Sequence, residues 1–144
     1  IVQDYRYDYL CIEPKIVWAP SVFFEAEYKA TVSCVGGGIG EDTSLDPLWE
    51  VAQRLTLSLE FHDTEFRLSG EHFYNDLSKN QHLNIWLADV SLIHKVGKWR
   101  FAASAINLFN KEQYRYTLYS AVQSYTSWVK LRPREFMVSV QYQW

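Results

Sequence analysis

Between Val22 and Cys34 the chain reads Val22-Phe23-Phe24-Glu25-Ala26-Glu27-Tyr28-Lys29-Ala30-Thr31-Val32-Ser33-Cys34. Its even positions are Val22, Phe24, Ala26, Tyr28, Ala30, Val32 and Cys34, whereas the odd positions after Phe23 are Glu25, Glu27, Lys29, Thr31 and Ser33. Successive side chains of a β-strand point to opposite faces, so this period of two makes one apolar face and one polar face. A helix would scatter the same apolar positions around its circumference.

The pattern recurs outward from this stretch. Gln53, Leu55, Leu57, Leu59 and Phe61 alternate with Arg54, Thr56, Ser58 and Glu60. Phe66, Leu68, Gly70, His72 and Tyr74 oppose Arg67, Ser69 and Glu71, and Phe136, Val138, Val140, Tyr142 and Trp144 oppose Glu135, Met137, Ser139, Gln141 and Gln143. The chain therefore reads as all-β, with about seven antiparallel strands at roughly 6–18, 22–34, 51–61, 65–75, 82–95, 98–109 and 130–144. Tight turns are expected at Ala19-Pro20-Ser21, His62-Asp63-Thr64 and Val96-Gly97-Lys98. Longer connections, Cys34 to Glu50, Asp76 to Gln81 and Asn110 to Lys130, alternate with them. In an up-and-down meander this puts all short turns at one end and all longer loops at the other.

The 144 residues suit one modest domain. With 14 Lys and Arg against 17 Asp and Glu, the chain lacks the basic stripe of a nucleic-acid binder. Aromatic residues are abundant: 6 Trp, 10 Tyr and 8 Phe make 17% of the chain. Mean hydropathy is −0.23 and no apolar run reaches the length of a transmembrane helix. Alternating strands of a transmembrane β-barrel average to such a value, so that class stays open. The opening Ile1-Val2-Gln3-Asp4-Tyr5 is not signal-like and reads as a processed chain or a piece of something longer.

A soluble sandwich or ligand-binding barrel turns its apolar face into a core, whereas a membrane barrel turns it out to lipid. Three features favour the membrane. Most strands are about as long as the 9–11 tilted residues that cross a bilayer. Short turns and longer loops segregate as periplasmic turns and extracellular loops do. Trp18, Phe24, Phe61, Phe66, Trp99, Phe101, Tyr142 and Trp144 gather at the short-turn end, with Tyr5, Tyr7, Tyr9, Tyr74, Tyr114, Tyr116 and Tyr119 at the other. Such sorting by height suits two interfacial girdles. The expected fold is thus an antiparallel up-and-down transmembrane β-barrel section. A small independent barrel of about eight strands and a soluble ligand-binding barrel are the alternatives.

The C-terminal region carries a family resemblance. Ala105-Ile106-Asn107-Leu108-Phe109-Asn110-Lys111 resembles the penultimate-strand signature of TonB-dependent outer-membrane receptors. Leu131-Arg132-Pro133-Arg134-Glu135-Phe136, leading to a final strand with terminal Trp144, resembles the Bacteroidetes-type form. The resemblance covers about the last 60 residues, with the earlier strands agreeing in pattern alone. It implies a 22-stranded barrel around an N-terminal plug, importing nutrients with energy from the inner membrane. Seven strands would be incomplete as a closed barrel, so the rest of the barrel and the plug are implied partners. So are outer-membrane lipid and the TonB complex. Phe136, Val138, Val140, Tyr142 and Trp144 resemble the signal read by the barrel-assembly machinery, a recognition consistent with strand addition at an open edge.

No enzyme core, cofactor or metal site is expected. Glu25, Glu27, Arg54, Glu60, Arg67, Glu71 and Asp89 share the polar face and read as cross-neutralised lumen-wall residues. Folding 65–75 on 82–95 would set His72 opposite His82, a thin basis for a metal. Gly36-Gly37-Gly38-Ile39-Gly40, with Glu41, Asp42 and Asp46 beyond it, reads as an extracellular loop. Tyr114, Tyr116, Tyr119, Tyr125 and Trp128 are the candidate ligand contacts, since rigid aromatics bind flat surfaces at low entropic cost; packing over neighbouring loops or a surface lipoprotein is the alternative. A hairpin centred near Pro20 would place Cys11 near Lys29 and Cys34 near Arg6, on opposite faces, leaving both thiols free.

Overall fold

A computed structural model describes residues 5–39, 43–78, 81–119 and 124–144. It is all-β. The strands are β1 (Tyr5–Ile12), β2 (Lys15–Ser21), β3 (Phe24–Ile39), β4 (Thr43–Phe61), β5 (Thr64–Ser78), β6 (Gln81–Val96), β7 (Trp99–Ile106), β8 (Gln113–Tyr119), β9 (Ser124–Lys130) and β10 (Glu135–Tyr142). No helix occurs among the described residues.

The main sheet runs β1-β3-β4-β5-β6-β7-β10, with β2 also on β3, and every pairing is antiparallel. β1 and β2 lie end to end along one edge of β3, covering Val32–Ile39 and Phe24–Lys29 respectively. The strand expected over 6–18 is therefore interrupted at Glu13-Pro14. Proline has no N–H to give to a ladder, which an edge strand tolerates. Its carbonyl still accepts from the Ala30 N–H at 3.0 Å. The seven expected strand positions are thus occupied in an up-and-down order, the first by two collinear pieces. The sheet does not close, because β1 and β10 do not pair.

Several boundaries differ from the sequence reading. The first turn is Val22-Phe23, not Ala19-Pro20-Ser21, and an irregularity between Trp18 and Ser21 takes up Pro20. This moves the β1 register: Cys11 faces Ser33 and Cys34 faces Leu10. The cysteines remain free and on opposite faces, since Ser33 and Cys34 are consecutive. Much of the expected Cys34–Glu50 connection is paired strand. Gly36, Gly37 and Gly38 belong to β3, and Asp46 to β4, whereas Gly40, Glu41 and Asp42 lie outside the described residues. The pairs Val35↔Leu48 and Gly37↔Leu45 leave Gly36 opposite Asp46-Pro47 in a bulge, where Pro47 costs no ladder bond. The expected Asn110–Lys130 connection contains the β8–β9 hairpin, a separate two-stranded sheet.

The short-turn end is ordered by bonds between neighbouring turns and strands. Glu60 N–H donates to the Phe23 carbonyl at 2.8 Å, Lys95 N–H to Asp63 at 2.8 Å and Gln143 N–H to Lys98 at 2.9 Å. Gly97 has φ +58° and His62 has φ +51°, each at the first position of its two-residue turn. Glycine accepts that conformation without a Cβ clash; histidine does not. Burial is unusual for a folded chain. Among the described residues the buried apolar set is Ala30, Ile85 and Ala105 alone.

Candidate lipid-facing surface and the Asn107 turn

Register assigns every sheet residue to a face. Phe24, Leu59, Phe66, Leu92, Ala103 and Val138 form one cross-strand row, and Ala26, Leu57, Leu68, Val90, Ala105 and Phe136 the next. These rows make a continuous apolar face. Val138 is 80% exposed and Phe136 73%, with Leu55, Leu59 and Leu92 also exposed.

At the short-turn end the face is edged by touching rings. Trp18 meets Phe24 edge-on at 5.5 Å, Trp99 lies 4.8 Å from Tyr142, and Tyr142 meets Trp144 at 5.6 Å. Trp18 shares its row with Ala26, Leu57, Leu68, Val90, Ala105 and Phe136. Tyr142 is six positions beyond Phe136 toward the short turns, and six strand spacings from Trp18. With ~3.4 Å per residue and ~4.8 Å between strands, the line from Trp18 to Tyr142 is inclined to the rows by roughly 35°. Phe24 and Trp99 fall within one residue of it and Phe61 within two. At the far end Trp49, Tyr74 and Trp86 step across β4, β5 and β6 with the same sense of incline but two residues per strand, a steeper slope of roughly 55°.

Beside that second aromatic row runs a polar chain across four strands. The Tyr28 hydroxyl donates to Gln53 Oε1 at 2.7 Å, Gln53 Nε2 lies 3.0 Å from His72 Nδ1, and His72 Nε2 lies 3.0 Å from Asn84 Oδ1. All three bonds run donor to acceptor in one direction if His72 carries its proton on Nε2. The imidazole stacks on Trp86 at 4.2 Å. Sequence reading placed Tyr28 and Gln53 on the apolar face without linking them, because their partnership depends on register. His72 faces Trp86 and His82 faces Asp76, so the two histidines are not opposite each other. Among the described residues no group of three His, Cys, Asp or Glu could hold a metal ion.

The reverse face carries the charges. Glu25, Glu27, Arg54, Glu60, Arg67, Glu71 and Asp89 all lie on it. Lys15 approaches Glu27 at 3.0 Å, Lys29 pairs with the same carboxylate, and Arg54 pairs with Glu71. These half-exposed pairs neutralise one another across strands; each contributes little energy.

Asn107, Asn110, Arg132 and Arg134 come together in one knot. Asn107 is 5% exposed and has φ +53°. Its Nδ2 donates to the carbonyls of Lys111 and Arg132, both at 2.8 Å, and its Oδ1 accepts from Lys111 N–H at 2.9 Å. Its own N–H donates to Asp89 Oδ1 at 2.8 Å, and Arg134 N–H donates to Asn110 Oδ1 at 2.9 Å. Asparagine suits this place: it tolerates left-handed backbone and carries two donors and an acceptor. β7 accordingly ends at Ile106, short of the expected 109, and Leu108-Phe109 form the turn, with Phe109 exposed. Pro133 sits in the extended entry to β10.

Phe136, Val138, Val140 and Tyr142 alternate on the apolar face of β10, with Trp144 continuing beyond it. One edge of β10 pairs with β7 and the other has no partner strand among the described residues. Tyr125 and Trp128 are exposed on β9, but at odd and even positions they face opposite sides of the hairpin and form no single surface. The side chains of Tyr114, Tyr116 and Tyr119 lie outside the described residues.

Comparison with protein families, curated proteins and solved structures finds no match.

Proposed function

We propose that the chain is part of the wall of an outer-membrane β-barrel, its apolar face on lipid and its charged face toward the lumen. The observation that carries this is the apolar face itself. It leaves Leu, Val, Phe and Trp side chains exposed in contiguous rows, far beyond the patch a water-soluble monomer tolerates. The inclination of the Trp18–Tyr142 line adds support. Strands of membrane barrels tilt by about 35–45°, so a girdle at constant membrane height must cross the rows at that angle. Trp18 to Tyr142 does so at roughly 35°. The open edges of β1, β2 and β10 then require further strands, because an unpaired ladder is costly in lipid.

Within this reading the chain is the C-terminal section of a TonB-dependent receptor, contributing barrel wall and insertion strand to energy-coupled nutrient uptake. Asn107-Leu108-Phe109-Asn110 and Arg132-Pro133-Arg134 support it by forming a single turn that sets the start of β10. Spin labels at consecutive positions 54–59, placed in the complete polypeptide that supplies the remaining strands and reconstituted in lipid vesicles, test the membrane reading. Labels at Leu55, Leu57 and Leu59 should be relaxed by oxygen, and those at Arg54, Thr56 and Ser58 by an aqueous nickel chelate. Uniform accessibility would overturn it. For the receptor, crosslinking in cells should recover the chain in one polypeptide with a plug; an isolated short barrel would refute that assignment.

A further inference from the structure

On the charged face, at the end away from the short turns, a cavity of about 280 Å³ opens between β1 and β5. Ser33, Glu50 and Asn75 form part of its lining and fall in one cross-strand row. Ser33 and Asn75 are buried, and Glu50, which stands between them in the row, is half-buried. Tyr7 and Tyr9 stand on β1 beside this floor, two residues apart on the same face. Gly37 is the residue opposite Tyr7, so no side chain fills the space there. A Cβ at Gly37 would overlap the Arg6 carbonyl oxygen, so the gap is also enforced by the close approach of β1.

We propose that this cavity binds a compact organic cation, an ammonium group on a small apolar body. Two tyrosines supply electron-rich rings, whose faces attract a cation within about 6 Å. Glu50 supplies the counter-ion, and none of the described residues lining the cavity is basic. β1 and β4 are two strand spacings apart, about 10 Å, so a cation between them reaches both walls. At ~30 Å³ per water the space equals about nine waters, the size of a small amine and not of a polymer. The floor is pre-formed by the β3–β4–β5 ladder, so little ordering is needed on binding. Apart from Trp49, which also borders the cavity, its lining belongs to the charged face, so this inference does not depend on what touches the apolar face.

The test is calorimetric titration of the full chain, in whatever medium keeps it monodisperse, with tetramethylammonium and n-butylamine. The neutral controls are tert-butanol, with the same number of heavy atoms as tetramethylammonium, and n-butanol; butyrate is the anionic control. Both cations should bind saturably and at least about tenfold more tightly than the alcohols, with butyrate not binding. Glu50→Gln should remove that preference, and Tyr9→Leu should weaken cation binding by about tenfold. Glu50→Asp, keeping the charge, should retain the preference. Circular dichroism of each variant must match the parent strand signal before it is scored. Equal binding of cation and alcohol, no binding of either cation, or an unchanged preference in folded Glu50→Gln would overturn the proposal. If the cation binds while the spin-label test fails, this site stands and the membrane reading falls; the reverse outcome separates them equally well.

Discussion

The side-chain amide of Asn107 donates to the carbonyl oxygen of Arg132 at 2.8 Å, joining segments 25 positions apart. The bond encloses the whole β8–β9 excursion and fixes where β10 begins beside β7. Three of the chain's polar requirements converge on one side chain, so the rest of the turn depends on it.

Asn107→Ala should therefore destabilise the chain by about 2–4 kcal/mol, since it orphans the Lys111 and Arg132 carbonyls and the Lys111 N–H. Urea unfolding followed by tryptophan fluorescence measures it. Asn107→Gly keeps the positive φ and should cost nearly as much; a mild effect of Gly alone would show that conformation, not hydrogen bonding, is what matters.

A charge in the middle of the apolar face should be costly only in a bilayer. Leu57→Lys is expected to lower stability in lipid by about 2–4 kcal/mol, while Thr56→Lys on the reverse face should change it by less than about 1 kcal/mol. Equal effects at the two positions would remove the asymmetry on which the lipid assignment rests.

The two aromatic rows should sit at opposite interfaces. In vesicles, single-Trp variants retaining Trp99 or Trp49 should both be quenched by lipids brominated near the headgroup more than by those brominated near the acyl terminus. An impermeant aqueous quencher added outside should reach one of the pair and spare the other. Quenching of both from the same side would place the rows together.

His62 holds φ +51° without glycine's freedom. Replacing it by Gly should stabilise the β4–β5 turn by about 1 kcal/mol, and Gly97→Ala should destabilise the β6–β7 turn by a similar amount. Thermal or urea unfolding of both variants gives the signs; a destabilising His62→Gly would mean the imidazole's contact with Phe61 at 4.1 Å outweighs backbone strain.

Much of the architecture was legible from alternation. The faces of Glu25, Glu27, Arg54, Glu60, Arg67, Glu71 and Asp89 follow from their parity within each strand, and the turns at His62 and Gly97 from their short connections. What misled was composition near the strand ends. Gly36 to Gly38 and Asp46-Pro47 have the residues of a loop, yet Gly still pairs through its main chain and Pro47 falls in a bulge. Pro20 suggested a turn, yet the reversal came at Val22-Phe23, and that displacement moved the partners of Cys11 and Cys34. The Asn107 motif could be read as a motif but not as a knot, because Arg132 is distant in sequence.

The sequence by itself determined that the chain is all-β, that its strands have one apolar and one charged side, and that aromatics cluster near their ends. Side-chain direction is a local property of successive residues, so it needs no partner strand. Only the tertiary structure decided which residues stand beside each other. Register arises from hydrogen bonding between distant segments, and a one-residue slip would reverse every face. It set the inclined line from Trp18 to Tyr142 and the chain Tyr28–Gln53–His72–Asn84. It also set the clamp between Asn107 and Arg132 and the cavity beneath Tyr7 and Tyr9.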